Sequence, residues 1–243
     1  MDYMASVFLF GSIWLLFFVC YPRLRSCLVL SALLFLPAGF SQALFVPDYR
    51  NPQVLFRFFG LFDPESLLFA FFTGGIASVL YPAFFGYDVV PLSEEKPGFP
   101  RHLFWIFPVL ASIILIFAAI YTDIPVIQIA FAIFLFGIIH MLLVRPDMFS
   151  ACIWGALLFL TLYSGVAFLM VVFAPEFIQY AWNVEPVFGI RLFHIPVDEF
   201  IYSFLFGGLW STVYCGIFGC RFEKKIAAEH PLMEGDDYKI DDP

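Results

Sequence analysis

One pattern occurs twice in this chain, without a gap. The segment Phe62-Asp63-Pro64-Glu65-Ser66-Leu67-Leu68-Phe69-Ala70-Phe71-Phe72-Thr73-Gly74-Gly75 returns as Ile195-Pro196-Val197-Asp198-Glu199-Phe200-Ile201-Tyr202-Ser203-Phe204-Leu205-Phe206-Gly207-Gly208. The correspondence runs on through Ser78/Ser211, Tyr81/Tyr214, Phe85/Phe218 and Gly86/Gly219. In each copy, acid precedes a long apolar run. A carboxylate at the mouth of a membrane helix is costly, so its repetition calls for a structural or chemical reason.

The apolar runs set the fold class. The chain is 62% hydrophobic and only 13% charged, far from the composition of soluble domains. About 20 apolar residues cross a bilayer as a helix. Seven runs qualify: Val7–Cys20, Cys27–Phe45, Ser66–Phe85, Leu103–Tyr121, Pro125–Val144, Phe149–Phe173 and Phe200–Cys220, the first extending back to Tyr3. Tyr21-Pro22-Arg23-Leu24-Arg25 reads as a stop after a spanning helix, not as a cleavage site. With seven spans, one side carries Arg23, Arg25, Lys96, Arg101, Arg145, Arg221, Lys224 and Lys225, and the other Arg50, Arg57 and Arg191. The positive-inside rule then predicts a multi-pass protein of the cell membrane, N-terminus outside and C-terminus cytoplasmic.

The duplication extends further. Pro22 and Pro146 both follow a first span, Ser26 matches Ser150, and Ala32–Leu36 matches Ala156–Leu160. Upstream, Leu9-Phe10-Gly11 echoes Leu135-Phe136-Gly137 with a two-residue gap. Spans one to three therefore correspond to spans five to seven, and the fourth links them. The expected fold is an all-α polytopic membrane protein, seven helices in a 3+1+3 arrangement. An odd unit plus one linking helix restores direction, so the units are parallel repeats. The expected organisation is 1–86, a first three-helix unit; 87–124, a linker with helix four; 125–222, a second unit; and 223–243, a disordered acidic tail. The tail supplies much of the net charge of −8.

Several functions are excluded or disfavoured. A retinal Schiff base needs a lysine inside the last span, and the lysines are Lys96, Lys224, Lys225 and Lys239. Sugar transporters of the 3+1+3 type carry prolines in both repeats, whereas Pro37 aligns with Thr161. No basic patch suggests nucleic acid, and no Cys/His spacing suggests a metal site. Cys20, Cys27, Cys152, Cys215 and Cys220 fall near the cytoplasmic ends of spans, where disulfides are not expected.

The polar groups able to do chemistry gather at the outer surface: Glu65, then Asp198 with Glu199, with Arg50, Arg57, Glu185, Arg191 and His194 close in sequence. Phe56, Phe58, Phe59, Tyr180, Trp182, Phe188 and Phe193 crowd the same segments. Two readings compete for the acids. Each follows a proline at a helix start, where the macrodipole favours negative charge, so each serves as a cap. Alternatively, burial raises a carboxyl pKa, and neighbouring acids split into a proton holder and a base. Aromatic faces stabilise cations without attacking them, which suits carbocation chemistry on a polyene. His194 is either a second proton carrier or an interfacial hydrogen-bonding group. Arg191 either pairs with Glu185 or an incoming acid, or anchors the interface. Gly74-Gly75 and Gly207-Gly208, with Phe71, Ser78, Tyr81 and Phe85, form a helical stripe that bypasses the acids and reads as the face holding the halves together.

Pro196-Val197-Asp198-Glu199-Phe200, opening an apolar helix after a Trp-containing loop, resembles the Pro-x-Glu-Glu-type motif of the small integral-membrane lycopene cyclases. That family has two homologous three-helix units with the motif once in each. Here Asp198 stands where the family has Glu, and Asp63-Pro64-Glu65-Ser66 lacks the spacer and second acid. The resemblance implies proton-initiated closure of an acyclic carotenoid end group with no net redox change and no cofactor. It implies catalytic roles for Glu65, Asp198 and Glu199, substrate contacts at Trp182, Arg191 and His194, and other isoprenoid-pathway membrane enzymes as partners. A carrier or lipid-binding protein on the same frame, or an inactive assembly subunit, is the alternative.

Overall fold

The computed structural model describes residues 2–45, 49, 54, 57–58, 63–92, 109–110, 113–114, 116–117, 120–173 and 188–224. Six long helices organise these residues: α1 (Asp2–Cys20), α2 (Arg25–Phe35), α3 (Pro64–Phe85), α4 (Val126–Val144), α5 (Phe149–Phe173) and α6 (Val197–Phe218). A 3-10 stretch, Leu36–Ser41, prolongs α2, followed by the short helix Gln42–Phe45. With that extension, six segments are long and apolar enough to cross a membrane. In lipid, only a helix satisfies each backbone group within its own segment. Of the expected span Leu103–Tyr121, the described residues 109–110, 113–114, 116–117 and 120–121 are helical, and the remainder lies outside the described residues.

Local signals fix the helix ends. Asp63 caps α3, accepting the Ser66 N–H at 2.7 Å on Oδ1, and Pro64 fills a first-turn position that needs no N–H. Gly86 and Gly219 end α3 and α6 at φ 71° and 63°, left-handed values that glycine adopts without steric cost. Strand β1 (Tyr87–Pro91) then pairs antiparallel with β4 (Cys220–Lys224), from Tyr87↔Lys224 to Pro91↔Cys220. Both third helices therefore finish at one small sheet. Glu223 and Lys224, expected in the tail, belong to this strand; the rest of the tail lies outside the described residues.

Similar contacts occur at positions that the sequence pattern aligns. Tyr21 and Arg145 end α1 and α4 with φ/ψ of −122°/68° and −130°/71°, each followed by a proline-led 3-10 turn. Ser78 Oγ donates to Gly75 O and Cys27 O, as Ser211 Oγ donates to Gly208 O and Ala151 O. A Cβ on Gly74 would lie 2.5 Å from the Phe35 Cβ, and one on Gly207 would lie 2.5 Å from the Phe159 Cβ. Trp14 and Ile138 abut Gly75 and Gly208, which pairs α1 with α4 in a register without the expected two-residue gap. The glycine pairs seat α3 on α2 and α6 on α5, while Tyr81 and Phe85 of the same stripe reach residues 150 and 154: Tyr81 Oη donates to Ser150 Oγ at 3.3 Å, and the Phe85 ring lies 5.3 Å from Trp154. Phe10, Ile76, Ala77, Leu80, Phe159, Val166 and Phe206 add one buried core drawn from α1, α3, α5 and α6.

Candidate active site

α3 and α6 begin at the end of the bundle opposite the sheet, and each brings acid into its first turn. Glu65, Asp198 and Glu199 are 2%, 0% and 1% exposed. The N-cap of α3 is Asp63, not Glu65. α6 has Pro196 at its cap position and no side-chain cap bond from it. The three buried acids lie in the first turns of their helices, where the macrodipole favours negative charge.

Each acid position has a different neighbour. Tyr163 on α5 donates its Oη to Glu199 Oε2 at 2.6 Å. The aligned position in the first half is Ser66, whose Oγ lies 3.2 Å from the Tyr3 Oη. The residue aligned with Tyr163 is Gly39, packed so closely on α3 that a Cβ would sit 2.7 Å from the Leu67 Cα and 2.8 Å from the Ser66 carbonyl. A tyrosine–glutamate pair in one half is thus a glycine–serine pair in the other. Phe10 bridges these two places. Its ring packs edge-on to Phe69 at 5.3 Å and lies 6.0 Å from Tyr163, while Tyr3 lies 6.0 Å from Phe69. Both motifs therefore border one aromatic wall.

A hairpin delivers α6. β2 (Arg191–Leu192) pairs with β3 (Ile195–Pro196), and Val197 N–H donates to Ile190 O at 3.0 Å. The turn residues Phe193 and His194 have φ of 52° and 69°, a conformation side chains other than glycine seldom adopt. Phe193 is held edge-on to Phe168 of α5 at 6.0 Å. Arg191 and His194 are exposed on this hairpin, whereas the acids are buried. Trp182, Glu185, Arg50, Phe56, Phe59 and Tyr180 lie outside the described residues.

Two spaces lie near the first turns of α3 and α6, reached by Ser66 and Tyr202. A recess of about 60 Å³ is lined by Tyr3, Ser66, Phe69, Ile127 and Tyr202, among others. A cavity of about 770 Å³ extends from it along α4 and α6. Glu65, Asp198 and Glu199 line neither space; Ser66, next to Glu65, lines the recess, and Tyr202, one helical turn beyond Asp198, lines both. Among the described residues, no three His, Cys, Asp or Glu side chains gather as a metal-ligand set.

Sequence reasoning missed Tyr163, Tyr3 and Asp63. Tyr163 carried a usable signal, since its aligned partner is glycine just where the aligned acid is serine. Tyr3 precedes every aligned position and carried none.

A family model described as lycopene cyclase matches residues 125–216. That is 92 of the 243 residues, and it contains α4, α5, Tyr163, Asp198 and Glu199. This segment of the chain is similar to the lycopene cyclase family. Comparisons with curated proteins and with solved structures returned no match.

Proposed function

We propose that this protein is a membrane cyclase acting on the acyclic end of a carotenoid or related isoprenoid, without net redox change. The observation that carries the reading is Glu199, fully buried, hydrogen-bonded by Tyr163, and inside the segment that matches the lycopene cyclase family. The frame we propose is a duplicated 3+1+3 bundle in the cell membrane, N-terminus outside. The paired glycine, serine and proline contacts of the two halves support the duplication. So does the joint ending of α3 and α6 at one sheet.

The chemistry needs a proton delivered and a proton removed. One acid of the Glu65, Asp198 and Glu199 set protonates the terminal alkene, giving a tertiary cation. The neighbouring alkene attacks that carbon and closes a six-membered ring. A second carboxylate then takes a proton from the ring, and the double bond forms there. Protons in and out balance, so the reaction is an isomerisation. Phe10, Phe69 and the Tyr163 ring offer π-faces to the passing cation. Burial of all three acids limits the water that would trap it as an alcohol. The substrate arrives through the bilayer from other membrane enzymes of isoprenoid synthesis.

The test is expression in lycopene-producing cells, followed by chromatography of the extracted pigments. Cyclic products are expected from the native chain and none from Glu199→Gln, at equal protein levels. Unchanged lycopene with well-expressed native protein would rule out carotenoid cyclisation. Retained turnover in Glu199→Gln would remove Glu199 from the mechanism.

A further inference from the structure

The cavity of about 770 Å³ is long rather than round. Its lining runs on α4 from Val126 to Met141 and on α6 from Tyr202 to Ile217. At 1.5 Å per residue, each wall is about 22 Å long, most of the thickness of a bilayer core. Ser41, Phe45 and the end of α2 close it at the end where Tyr202 lies, and Val109, Ile113 and Ile116 form part of another wall. Among the described residues, no Asp, Glu, Lys or Arg lines it.

Three features identify the occupant. The space fits a stretched chain and wastes a compact one. Its acid end is aromatic: Phe134 packs edge-on to Tyr202 at 5.3 Å, and Phe35 lies 4.5 Å from Trp210. A conjugated chain stacks on such rings, where a saturated acyl chain gains only its apolar contact. Finally, Phe35, Ala38, Ser41, Phe45 and Tyr202 line both this cavity and the recess at Tyr3 and Ser66. A chain lying along α4 and α6 therefore ends against the first turns of α3 and α6, where the buried acids sit.

From this geometry we infer that the α4–α6 cavity is the polyene-binding site, holding the unreacting length of the substrate parallel to the helices with its reactive end at Tyr202. This rests on the cyclase reading above and adds where the substrate lies. It also sets the route of entry. Val109, Ile113 and Ile116 are 53%, 45% and 39% exposed, so that side is open, and the substrate enters sideways from lipid.

The probe is lycopene itself, extracted and quantified from the purified full-length chain carrying Glu199→Gln. This variant is expected to retain lycopene. Adding Ala130→Phe, which fills the cavity from α4, or Ile113→Trp, which fills it from the opposite wall, should cut retention at least about tenfold. Leu135→Phe adds bulk to α4 at a residue 49% exposed and outside the cavity, and should leave retention unchanged. The two blocking sites lie on separate walls, so a folding failure in one does not decide the matter. Retention unaffected by both would overturn the site, as would a cavity holding phospholipid with no lycopene. A native chain that retains lycopene, loses it on blocking, yet forms no ring would overturn the cyclase reading while leaving this site standing. Normal cyclisation by both blocked variants in the active background would overturn the site alone.

Discussion

The Tyr163–Glu199 hydrogen bond gives the sharpest prediction. Tyr163→Phe removes one oxygen and keeps the ring, with its neighbours Phe10 at 6.0 Å and Phe159 at 6.1 Å. The lost contact is a 2.6 Å bond to a carboxyl group on a residue that is 1% exposed. Water cannot take over the donor's place easily at that depth. Hydrogen bonds to carboxylates contribute about 1.5–3 kcal/mol, which corresponds to roughly a ten- to hundredfold change in rate when the group is needed in the transition state. Tyr163 does not line the substrate cavity, so the loss is expected in kcat, with KM little changed. The assay uses purified protein in lipid nanodiscs with dispersed lycopene, and chromatography of the products over time. Because Tyr163 acts through Glu199, Tyr163→Phe in the Glu199→Gln background should leave lycopene retention as Glu199→Gln alone leaves it. Turnover in Tyr163→Phe within about twofold of native, or a rise in KM at constant kcat, would refute this coupling.

Other outcomes follow from packing and from the sheet end. Gly74→Ala and Gly207→Ala each place a Cβ 2.5 Å from a phenylalanine Cβ, so each should destabilise by about 1–3 kcal/mol, read as a lower melting temperature in detergent. Their similarity is the point: unequal losses would argue against equivalent α2–α3 and α5–α6 contacts. Arg145 grips Asp147 with two bonds, at 2.9 and 2.7 Å, and donates to the Cys220 carbonyl at 2.9 Å. Asp147 holds the Arg145 pKa above its ordinary value, so the guanidinium stays charged at every working pH. Arg145→Ala should therefore cost about 1–2 kcal/mol of thermal stability, and Arg145→Lys should restore only part, since an ammonium lacks the planar fork. Full restoration by lysine would show that charge alone matters.

How much of this was legible in the sequence depends on whether the cause was local. The spans are local: a run of apolar residues long enough to cross a bilayer leaves little choice but helix. The positive-φ glycines at 86 and 219 are local too, and both sat at the ends of the repeated motif. The Phe193-His194 turn was hidden because its left-handed conformation occurs without the glycine or asparagine that announces such turns. That turn places Arg191 and His194 on an exposed hairpin that leads into α6. The pairing of β1 with β4 joins segments far apart in sequence and has no local signature. Tyr163 touches Glu199 across two helices for the same reason.

The difference between the two halves has a physical logic. On the proposed duplication, Ser66 stands where Glu199 stands, and Gly39 where Tyr163 stands. The two differences are tied together. A glutamate at 66 would be a buried acid facing a glycine that offers no side-chain donor, and burying a carboxylate without hydrogen bonds costs several kcal/mol. A tyrosine at 39 alone would collide with α3, because even a Cβ there meets the Leu67 Cα at 2.7 Å. Neither change is tolerable first, so the halves are held apart by packing as well as by chemistry. The first half spends this position on close approach of the α2 extension to α3, and it keeps one acid, Glu65, in the first turn of α3. The second half separates α5 from α6 by a tyrosine, and in the space so made it buries a hydrogen-bonded acid. On the proposed cyclase reading, the two units then form one site with a direction to it: a tyrosine-bonded acid on α6, an acid without that tyrosine on α3, and the Phe10 ring packed on Phe69 and near Tyr163. Proton addition and proton removal at different carbons of one ring need that inequality, which a symmetrical pair of sites would not supply.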